Sequence, residues 1–179
     1  MERGSIKQIV AYWLCPAEPV RTHFVELIND LAAKFDAPAF EPHVTIYVTD
    51  AANDDPEAVL EQALQGHGPC RLSIRDLDYA DEFTKTLFVQ FEPDADVQRL
   101  SSDLRRASAL QNDYQLNPHL SLIYQTMASE TKRDLAHSIR FPFDEVRFDS
   151  VKAIISPAKI ESNAGVNSWR VVATQTLAE

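Results

Sequence analysis

The 179-residue chain contains only two cysteines, Cys15 and Cys70, and no Cys-x-x-Cys pair. So few cysteines argue against a disulfide-stapled scaffold, and the missing pair argues against a cysteine-based zinc site. No stretch approaches the roughly 20 consecutive apolar residues that a membrane-spanning helix requires. The apolar run at residues 9–14 is also too short for the core of a signal peptide, and it is interpreted as a strand. We therefore expect a cytoplasmic protein without membrane association.

Positive charge is also scarce, because 17 Lys and Arg residues stand against 27 Asp and Glu residues, giving a formal net charge of −10. Proteins that bind long nucleic acids gain most of their affinity by neutralising phosphates, and they usually carry a basic surface. The composition therefore argues against a long nucleic acid partner. A local pocket with a few fixed donors can still hold one or two phosphates. We expect a small phosphorylated nucleotide as substrate, and a monomer.

The remaining composition is that of a folded domain. Hydrophobic residues make up 45% of the chain and charged residues 25%, as is common in globular proteins. A chain of this length can bury a sizeable core. We interpret residues 1–179 as one domain built from two lobes.

Hydrophobic periodicity predicts alternating strands and helices. Residues 20–35 carry apolar side chains at three- and four-residue spacing, which predicts a helix, and residues 42–48 are dense in β-branched residues, which predicts a strand. The same criteria predict further strands at residues 6–14, 70–79, 84–91, 118–124, 146–155 and 168–174. They predict further helices at residues 54–65, 93–110 and 129–139, and a turn at residues 162–167.

The predicted order is β-α-β-α-β-β-α-β-α-β-β, which divides into two similar halves. In each half a long helix leads into a strand that begins Pro-His, and a helix and a pair of strands follow. Two similar halves are expected to pack about an approximate two-fold axis. Because the predicted order contains pairs of strands that are adjacent in sequence, it favours antiparallel sheets and an α+β fold.

The two Pro-His strands share one pattern of proline, histidine, aliphatic, hydroxyl and aliphatic residues. It occurs as Pro42-His43-Val44-Thr45-Ile46 and as Pro118-His119-Leu120-Ser121-Leu122. Because alternate side chains on a strand point to the same face, each histidine shares a face with the hydroxyl two residues later. The aliphatic residues then point into the core. A single His-x-Thr/Ser tripeptide is a weak motif, but its repetition behind a proline on two strands is specific.

Two histidines facing each other across a phosphate would supply both proton transfers that opening a phosphodiester requires. One takes a proton from water and the other gives a proton to the leaving oxygen, and imidazole can do either at neutral pH. The hydroxyls of Thr45 and Ser121 can donate hydrogen bonds to the non-bridging oxygens. This scheme requires no metal and no other cofactor. The chain also lacks a His-Glu-x-x-His motif and a carboxylate cluster at ligand spacing.

The doubled motif resembles that of the 2H phosphoesterase superfamily, and within it the cyclic phosphodiesterase branch. The residues that carry the resemblance follow the family order along nearly the whole chain; they are Tyr12-Trp13-Leu14 and residues 40–45, 83–88, 118–124 and 168–172. The resemblance implies an α+β fold of two pseudo-symmetric lobes, with antiparallel sheets facing a central cleft and helices outside. It also implies metal-independent hydrolysis of a 2′,3′-cyclic nucleotide or of ADP-ribose 1″,2″-cyclic phosphate to a monophosphate.

The resemblance also implies roles for individual residues. The catalytic acid–base pair corresponds to His43 and His119. The phosphate-binding residues correspond to Thr45, Ser121 and Tyr124. In some relatives the second histidine activates water and the first protonates the leaving oxygen. Gln125 departs from the family pattern, because relatives often have glycine after the tyrosine.

Aromatic residues are the candidates for stacking on the base of a nucleotide. Phe83 lies between two predicted strands, where an exposed ring could stack on a purine. Trp169 could do the same, although a tryptophan in a last strand is more often part of the core. Tyr12 and Trp13 point to opposite faces of the first strand, so at most one of them lines a cleft. Arg170 is a further candidate for neutralising a phosphate.

Four other interpretations stay open at this point. His43 and His119 could be structural, or they could be two ligands of a metal ion, although the sequence offers no third ligand. The chain could also be an RNA-end or 2′-5′ phosphodiesterase or ligase-like enzyme of the same superfamily, which the acidic composition argues against. The last is a nucleotide-binding module without activity, although both histidines and both hydroxyls are present.

Overall fold

The computed structural model describes residues 7–179, in which seven strands and five α-helices follow one another. The strands are β1 (Gln8–Pro16), β2 (Val44–Asp50), β3 (Cys70–Tyr79), β4 (Leu87–Phe91), β5 (His119–Ile123), β6 (Glu145–Pro157) and β7 (Arg170–Thr176). The helices are α1 (Val20–Phe35), α2 (Pro56–Ala63), α3 (Ala95–Ala107), α4 (Ser129–Ser138) and α5 (Asn163–Asn167). None of the helices in this part of the chain is long and apolar enough to cross a membrane. The predicted α+β class is confirmed.

All strand pairs are antiparallel, and the pairings of β2 with β5, of β3 with β6 and of β1 with β6 close the sheet on itself. The strand order is β1-β2-β5-β4-β3-β6-β7, and β1 also pairs with β6. Strands β2 and β5, which carry the Pro-His motifs, meet at one residue pair, Val44 opposite Leu120. The first sheet half consists of β2, β1, β6 and β7, and the second consists of β5, β4 and β3. Each half therefore contains one motif strand.

The pair of strands that follows each motif in the sequence packs in the sheet half that contains the other motif. Strands β3 and β4, which follow the first motif in sequence, pack beside the second motif on β5. Strands β6 and β7, which follow the second motif, join the first motif through β1. The chain crosses from one half to the other after each motif, so neither half of the sequence forms a lobe alone.

Three of the five helices in the described residues begin at a residue whose side chain caps the first turn. Asp55 accepts hydrogen bonds from the amides of Glu57 and Ala58 at the start of α2, and Asp94 does so from Val97 at the start of α3. Such caps satisfy amides that lack a partner within the helix.

Two local predictions are wrong, and one lies partly outside the described residues. The turn expected at residues 162–167 is the short helix α5, whose first turn is capped by the Ser162 hydroxyl. The strand expected from residue 84 begins only at Leu87, because Phe83–Lys85 form a 3₁₀ turn. The Thr86 hydroxyl lies within hydrogen-bond distance of the Phe83 carbonyl oxygen, at 3.0 Å, and of the Gln125 carbonyl oxygen, at 2.8 Å, and so links the turn to the segment that follows β5. In the strand expected at residues 6–14, residue 6 is outside the described part.

Strand β1 separates two apolar clusters. Val10, Tyr12 and Leu14 are fully buried in the main core between the sheet and the helices. Ala11, Trp13, Cys15 and Ile154 form a smaller cluster on the other face. This alternation is the period of two expected for a strand with both faces covered. Cys15 and Cys70 are both free thiols.

Candidate active site

A cleft of about 220 Å³ opens on the sheet face opposite the main core, where β2 and β5 meet. The sequence-predicted site residues that line it are His43, Thr45, His119, Ser121, Tyr124 and Trp169. Between them on their strands, Val44, Ile46, Leu120 and Leu122 are fully buried in the core. The period of two therefore places both motifs on one surface.

His43 is buried against the face of Trp13. The two rings stack with centroids 3.6 Å apart and planes within 9° of parallel, and only 6% of His43 is exposed. Its Nδ1 donates a hydrogen bond to the Glu41 carbonyl oxygen at 2.6 Å, which leaves Nε2 as the nitrogen with a free lone pair. Burial lowers the pKa of His43 to about 4, so the ring is neutral at pH 7.

His119 is held by the same kind of bond but is more exposed. Its Nδ1 donates to the Asn117 carbonyl oxygen at 2.8 Å, so each catalytic candidate is oriented by the carbonyl two residues earlier. Burial lowers the pKa of His119, and the nearby charge of Lys85 acts in the same direction. The bond to Asn117 and the negative charge of Glu82 act in the opposite direction.

Glu41, whose carbonyl accepts the hydrogen bond from His43, is itself held by an ion-pair network at its carboxylate. The half-buried Glu41 carboxylate accepts hydrogen bonds from Lys152 Nζ at 2.5 Å and from Arg21 Nη2 at 3.3 Å. Burial raises the pKa of Glu41, but these two cations outweigh it and hold the pKa below its ordinary value. The network therefore fixes the backbone segment whose carbonyl orients His43.

The hydroxyl groups at the cleft have different surroundings. Ser121 is buried, and its Oγ donates to the Thr84 carbonyl oxygen at 2.8 Å. Thr45 is half-buried, and its strand is fixed by a hydrogen bond from the Tyr114 hydroxyl to the Thr45 carbonyl. Tyr124 is buried beside Ser121, and burial raises the pKa of its phenol. The Tyr124 hydroxyl therefore keeps its proton at neutral pH and can act as a donor.

The two tryptophans of the chain both line the cleft. Trp169 stands nearly perpendicular to Trp13, with ring centroids 5.0 Å apart, and to His43, at 5.9 Å. It is half-buried beside the small apolar cluster and is not part of the main core. Tyr12 lies in the main core, which confirms that only one of Tyr12 and Trp13 reaches the cleft.

Other sequence candidates lie outside the cleft wall. The Phe83 ring packs beside Tyr124, with centroids 6.3 Å apart, and is not among the lining residues. Arg170 is exposed at the start of β7 and does not line the cleft either. The Gln125 amide points away from the cleft and donates to the carbonyls of Phe35 and Asp36 at the end of α1.

Some of the residues that line the cleft belong to no sequence motif, so the sequence did not identify them as site residues. The residues that complete its lining are Ile9, Ala11, Val48, Thr84, Ser156, Pro157, Ala158 and Ile160. They come from β1, β2, β6, the 3₁₀ turn and the loop after β6, and the pairing of β1 with β2 and with β6 brings most of them together. The one usable signal is the period of two on β1, which places Ile9 and Ala11 on the same face as Trp13.

The metal-site interpretation requires a third protein ligand beside the two imidazoles. Zinc in proteins is held by Cys, His, Asp and Glu side chains. In residues 7–179, no group of three or more such side chains is placed to hold a metal ion. The other polar side chains at the cleft are hydroxyls, so the donor set matches hydrogen bonding to an anion better than a resident zinc site.

Protonation of the buried His43 should destabilise the protein in acid. Its pKa is about 4 when folded and near 6.5 when unfolded, so the unfolded chain takes up a proton first as the pH falls. The free energy of unfolding should therefore fall between about pH 6.5 and pH 4, by up to about 3 kcal/mol from this group. Denaturant titrations at pH 7 and pH 4.5 would measure the effect.

For this test, His43→Gln removes the titrating group and His137→Gln, at an exposed position of α4, serves as control. The acid-induced loss should be about 2 kcal/mol smaller in His43→Gln than in the wild type. It should be unchanged in His137→Gln. Equal losses in all three proteins would contradict the burial of a neutral His43.

The comparisons with known proteins agree with this geometry. A family model described as cyclic phosphodiesterase-like protein matches residues 9–177. The chain is 22% identical over 175 residues to the cyclic phosphodiesterase of Arabidopsis thaliana, with 96% of each protein covered. The crystal structure of E. coli LigT complexed with 3′-AMP superposes with a TM-score of 0.59 at 12% identity, covering 97% of this chain and 99% of that one.

A second solved structure, described as a phosphoesterase, also superposes with a TM-score of 0.59, at 13% identity. This alignment covers 96% of this chain and 99% of the other. At such low identity, the two structural matches show a shared fold. The family match spans nearly all of the described chain and includes both histidine strands.

Proposed function

The chain belongs to the cyclic phosphodiesterase-like family of the 2H phosphoesterase superfamily, and from this premise we propose that it opens a small cyclic phosphodiester to a monophosphate without a metal. The substrate is a 2′,3′-cyclic nucleotide or ADP-ribose 1″,2″-cyclic phosphate. The observation that carries this proposal is the presence of two imidazoles in one cleft, each with Nδ1 bound to the carbonyl two residues earlier. Both rings can thus direct Nε2 to the same phosphate.

His43 acts as the base that takes a proton from the attacking water. A base must be neutral beforehand, and burial against Trp13 keeps His43 neutral to about pH 4. A cation–π contact with Trp13 would favour the protonated ring by ~0.5–2 kcal/mol. The lowering of the pKa to about 4 corresponds to about 3 kcal/mol in the other direction. The anionic phosphate of a bound substrate then raises the pKa and strengthens the base.

His119 acts as the acid that protonates the leaving oxygen. Burial lowers the pKa of His119, as it lowers that of His43, but His119 is more exposed, and the bond to Asn117 and the charge of Glu82 act against the shift. A bound phosphate anion favours that form further. This order of roles is the reverse of the order implied by the resemblance to some relatives.

The hydroxyls bind the non-bridging oxygens of the phosphate. Thr45 faces the cleft from β2 and donates directly to one oxygen. Ser121 exchanges its bond to the Thr84 carbonyl for a bond to the phosphate. Tyr124 stays protonated and supplies a further donor beside Ser121. Such fixed donors stabilise charge where it is held in the transition state.

Lys85 contributes a positive charge beside this phosphate site. It follows the cleft residue Thr84, and its Nζ lies 4.7 Å from the centroid of the Phe88 ring. That ring is in turn 5.5 Å from the imidazole of His119. The charge of Lys85 therefore attracts the substrate anion to the side of the cleft where the leaving oxygen is protonated.

Lys85→Met should raise the KM for 2′,3′-cyclic AMP about fivefold and change kcat less. A charge of this kind near a partly exposed anion contributes about 1 kcal/mol, which corresponds to this factor. Lys85→Arg should retain most of the affinity. Lys34→Met is the matched control, because Lys34 also lies over a phenylalanine ring, Phe35, at 5.3 Å, but on the exposed side of α1. An equal KM in the two Met variants would contradict the role of Lys85.

A further inference from the structure

The cleft continues beyond the catalytic residues into an apolar wall, defined here as Ile9, Val48, Pro157 and Ile160. We propose that this wall receives the base of a nucleoside 2′,3′-cyclic monophosphate, and that the site disfavours a cyclic phosphate that also carries a pyrophosphate. The inference rests on the proposed function and narrows its two substrates to one. Four properties of the cleft support it: its length, its preformed wall, its charge and its volume.

Strand β1 sets the distance between the catalytic centre and the wall. Trp13 stacks on His43 at one end, and Ile9 lies four residues earlier on the same face. At about 3.3 Å per residue, Ile9 is about 13 Å from Trp13 along the strand. Ile9 pairs with Ser156 of β6, so the neighbouring Pro157 closes the same end. This length accommodates one nucleoside with its phosphate at the histidines.

The wall is part of the folded sheet and needs no rearrangement to form. Val48 lies opposite Ala11 in the β1–β2 pair, and the amide of Ala158 donates to the Lys7 carbonyl at 2.9 Å. Ile160 packs against α5 at Gly165, where an added Cβ would lie only 3.2 Å from Ile160 Cδ1. A preformed apolar surface binds the flat face of a base with little ordering cost.

The charge of the cleft distinguishes the two substrates. Apart from its two histidines, the described part of the chain contributes only aliphatic, aromatic and hydroxyl side chains to the lining. A nucleoside cyclic phosphate places its single negative charge at the catalytic centre. A pyrophosphate would add two charges along a wall whose lining side chains in residues 7–179 include no Lys or Arg. The neighbouring Lys7 and Lys159 are exposed and do not line the cleft, and Lys7 pairs with Asp50. The net charge of −10 on the whole chain adds to the penalty.

The volume of the cleft points the same way. At about 220 Å³ it is smaller than the roughly 300–1,000 Å³ of pockets that bury drug-sized ligands. The cyclic phosphate, the ribose and part of one base can be enclosed. The second nucleoside of ADP-ribose would have to lie outside, where it gains little from burial.

The first experiment compares kcat/KM for three substrates: 2′,3′-cyclic AMP, the 2,3-cyclic phosphate of methyl riboside, which lacks a base, and ADP-ribose 1″,2″-cyclic phosphate. The wall predicts a value for cyclic AMP at least about tenfold above each of the others, since burying part of a base contributes about 1–2 kcal/mol. Turnover of the base-free compound at a rate equal to cyclic AMP would overturn the inference and leave the proposed function standing. So would a preference for the ADP-ribose compound.

Two substitutions test the wall and its charge separately. Ile160→Ser should lower kcat/KM for cyclic AMP severalfold and leave that for the base-free compound unchanged. Ala158→Lys places a cation at the exposed rim of the cleft, and it should improve the ADP-ribose compound relative to cyclic AMP. Ala58→Lys adds the same charge on the exposed face of α2 and should not change the ratio. Equal ratios in both lysine variants would contradict the charge argument.

A binding measurement keeps the inference testable even if no substrate is opened. Both tryptophans line the cleft, so their fluorescence reports its occupancy. Titration with 3′-AMP should give an affinity about tenfold higher than titration with methyl riboside 3-phosphate. Equal affinities would overturn the role of the wall, whereas absence of turnover with this preference intact would overturn only the proposed reaction.

Discussion

His43→Ala and His119→Ala are each expected to reduce kcat for 2′,3′-cyclic AMP by 10² or more. General acid–base groups contribute about 10²–10⁴-fold, and in the described cleft the two imidazoles are the only side chains that can exchange a proton near neutral pH. Because both act on one reaction, the double variant should be much less impaired than the product of the two single effects. Initial rates at saturating substrate would measure the losses.

Two controls separate this loss from unfolding. The exposed His137→Ala should retain full activity. His43→Gln fills more of the space beside Trp13 than alanine does and should be equally inactive. All variants should still bind 3′-AMP as judged by tryptophan fluorescence. A kcat above a tenth of the wild-type value in either alanine variant would contradict the two-histidine mechanism.

An activated leaving group should rescue one histidine variant and not the other. A p-nitrophenolate leaves without protonation, so a nucleoside p-nitrophenyl phosphodiester bypasses the acid but still needs the base. With His119 as the acid, His119→Ala should recover most of its loss on this ester, a change of 10²-fold or more. His43→Ala should stay inactive, because the attacking water must still lose a proton.

This test is needed because a pH–rate profile cannot assign the roles. A bell-shaped profile has the same two limbs whichever ring is the acid and whichever is the base. Rescue of His43→Ala and not of His119→Ala would reverse the assignment and restore the order implied by the resemblance to relatives. Rescue of neither variant would show that neither ring is needed only to protonate the leaving oxygen. Both would then take part in deprotonating the attacking water or in stabilising the charge of the transition state. The burial of His43 against Trp13 favours rescue of His119→Ala alone.

The catalytic strands were predictable because their signals are local. Proline, histidine and hydroxyl residues at fixed spacing define each strand, and the period of two decides which side chains share a face. Helix α1 was predicted with the bounds that it has in the structure, Val20–Phe35, because its apolar spacing is regular and a proline follows at residue 38.

The exchange of strand pairs between the two sheet halves was not predictable in the same way. Periodicity shows that β3 and β4 are strands and form a hairpin, but it does not show which motif strand they join. That choice depends on long-range pairing, such as Gln90 of β4 opposite His119 of β5. The same limit applies to the apolar wall, whose members come from residues 9 to 160.

The environment of His43 was also beyond a sequence argument. Alternation placed Trp13 on one face of β1, but the stacked contact at 3.6 Å requires the pairing of Trp13 with Thr45 across β1 and β2. That contact contributes to the burial that lowers the pKa of His43. A residue in the first strand therefore affects the chemistry of a motif some 30 residues away.

The most direct test of the central claim is the turnover of 2′,3′-cyclic AMP by the purified protein in excess EDTA, with the product identified by chromatography. We predict undiminished turnover to a single monophosphate isomer, since two imidazoles and fixed hydroxyl donors supply the proton transfers and charge stabilisation. Turnover that disappears in EDTA and returns with added zinc would contradict the metal-independent mechanism. Absence of turnover under both conditions, for this substrate and for ADP-ribose 1″,2″-cyclic phosphate, would contradict the proposed reaction.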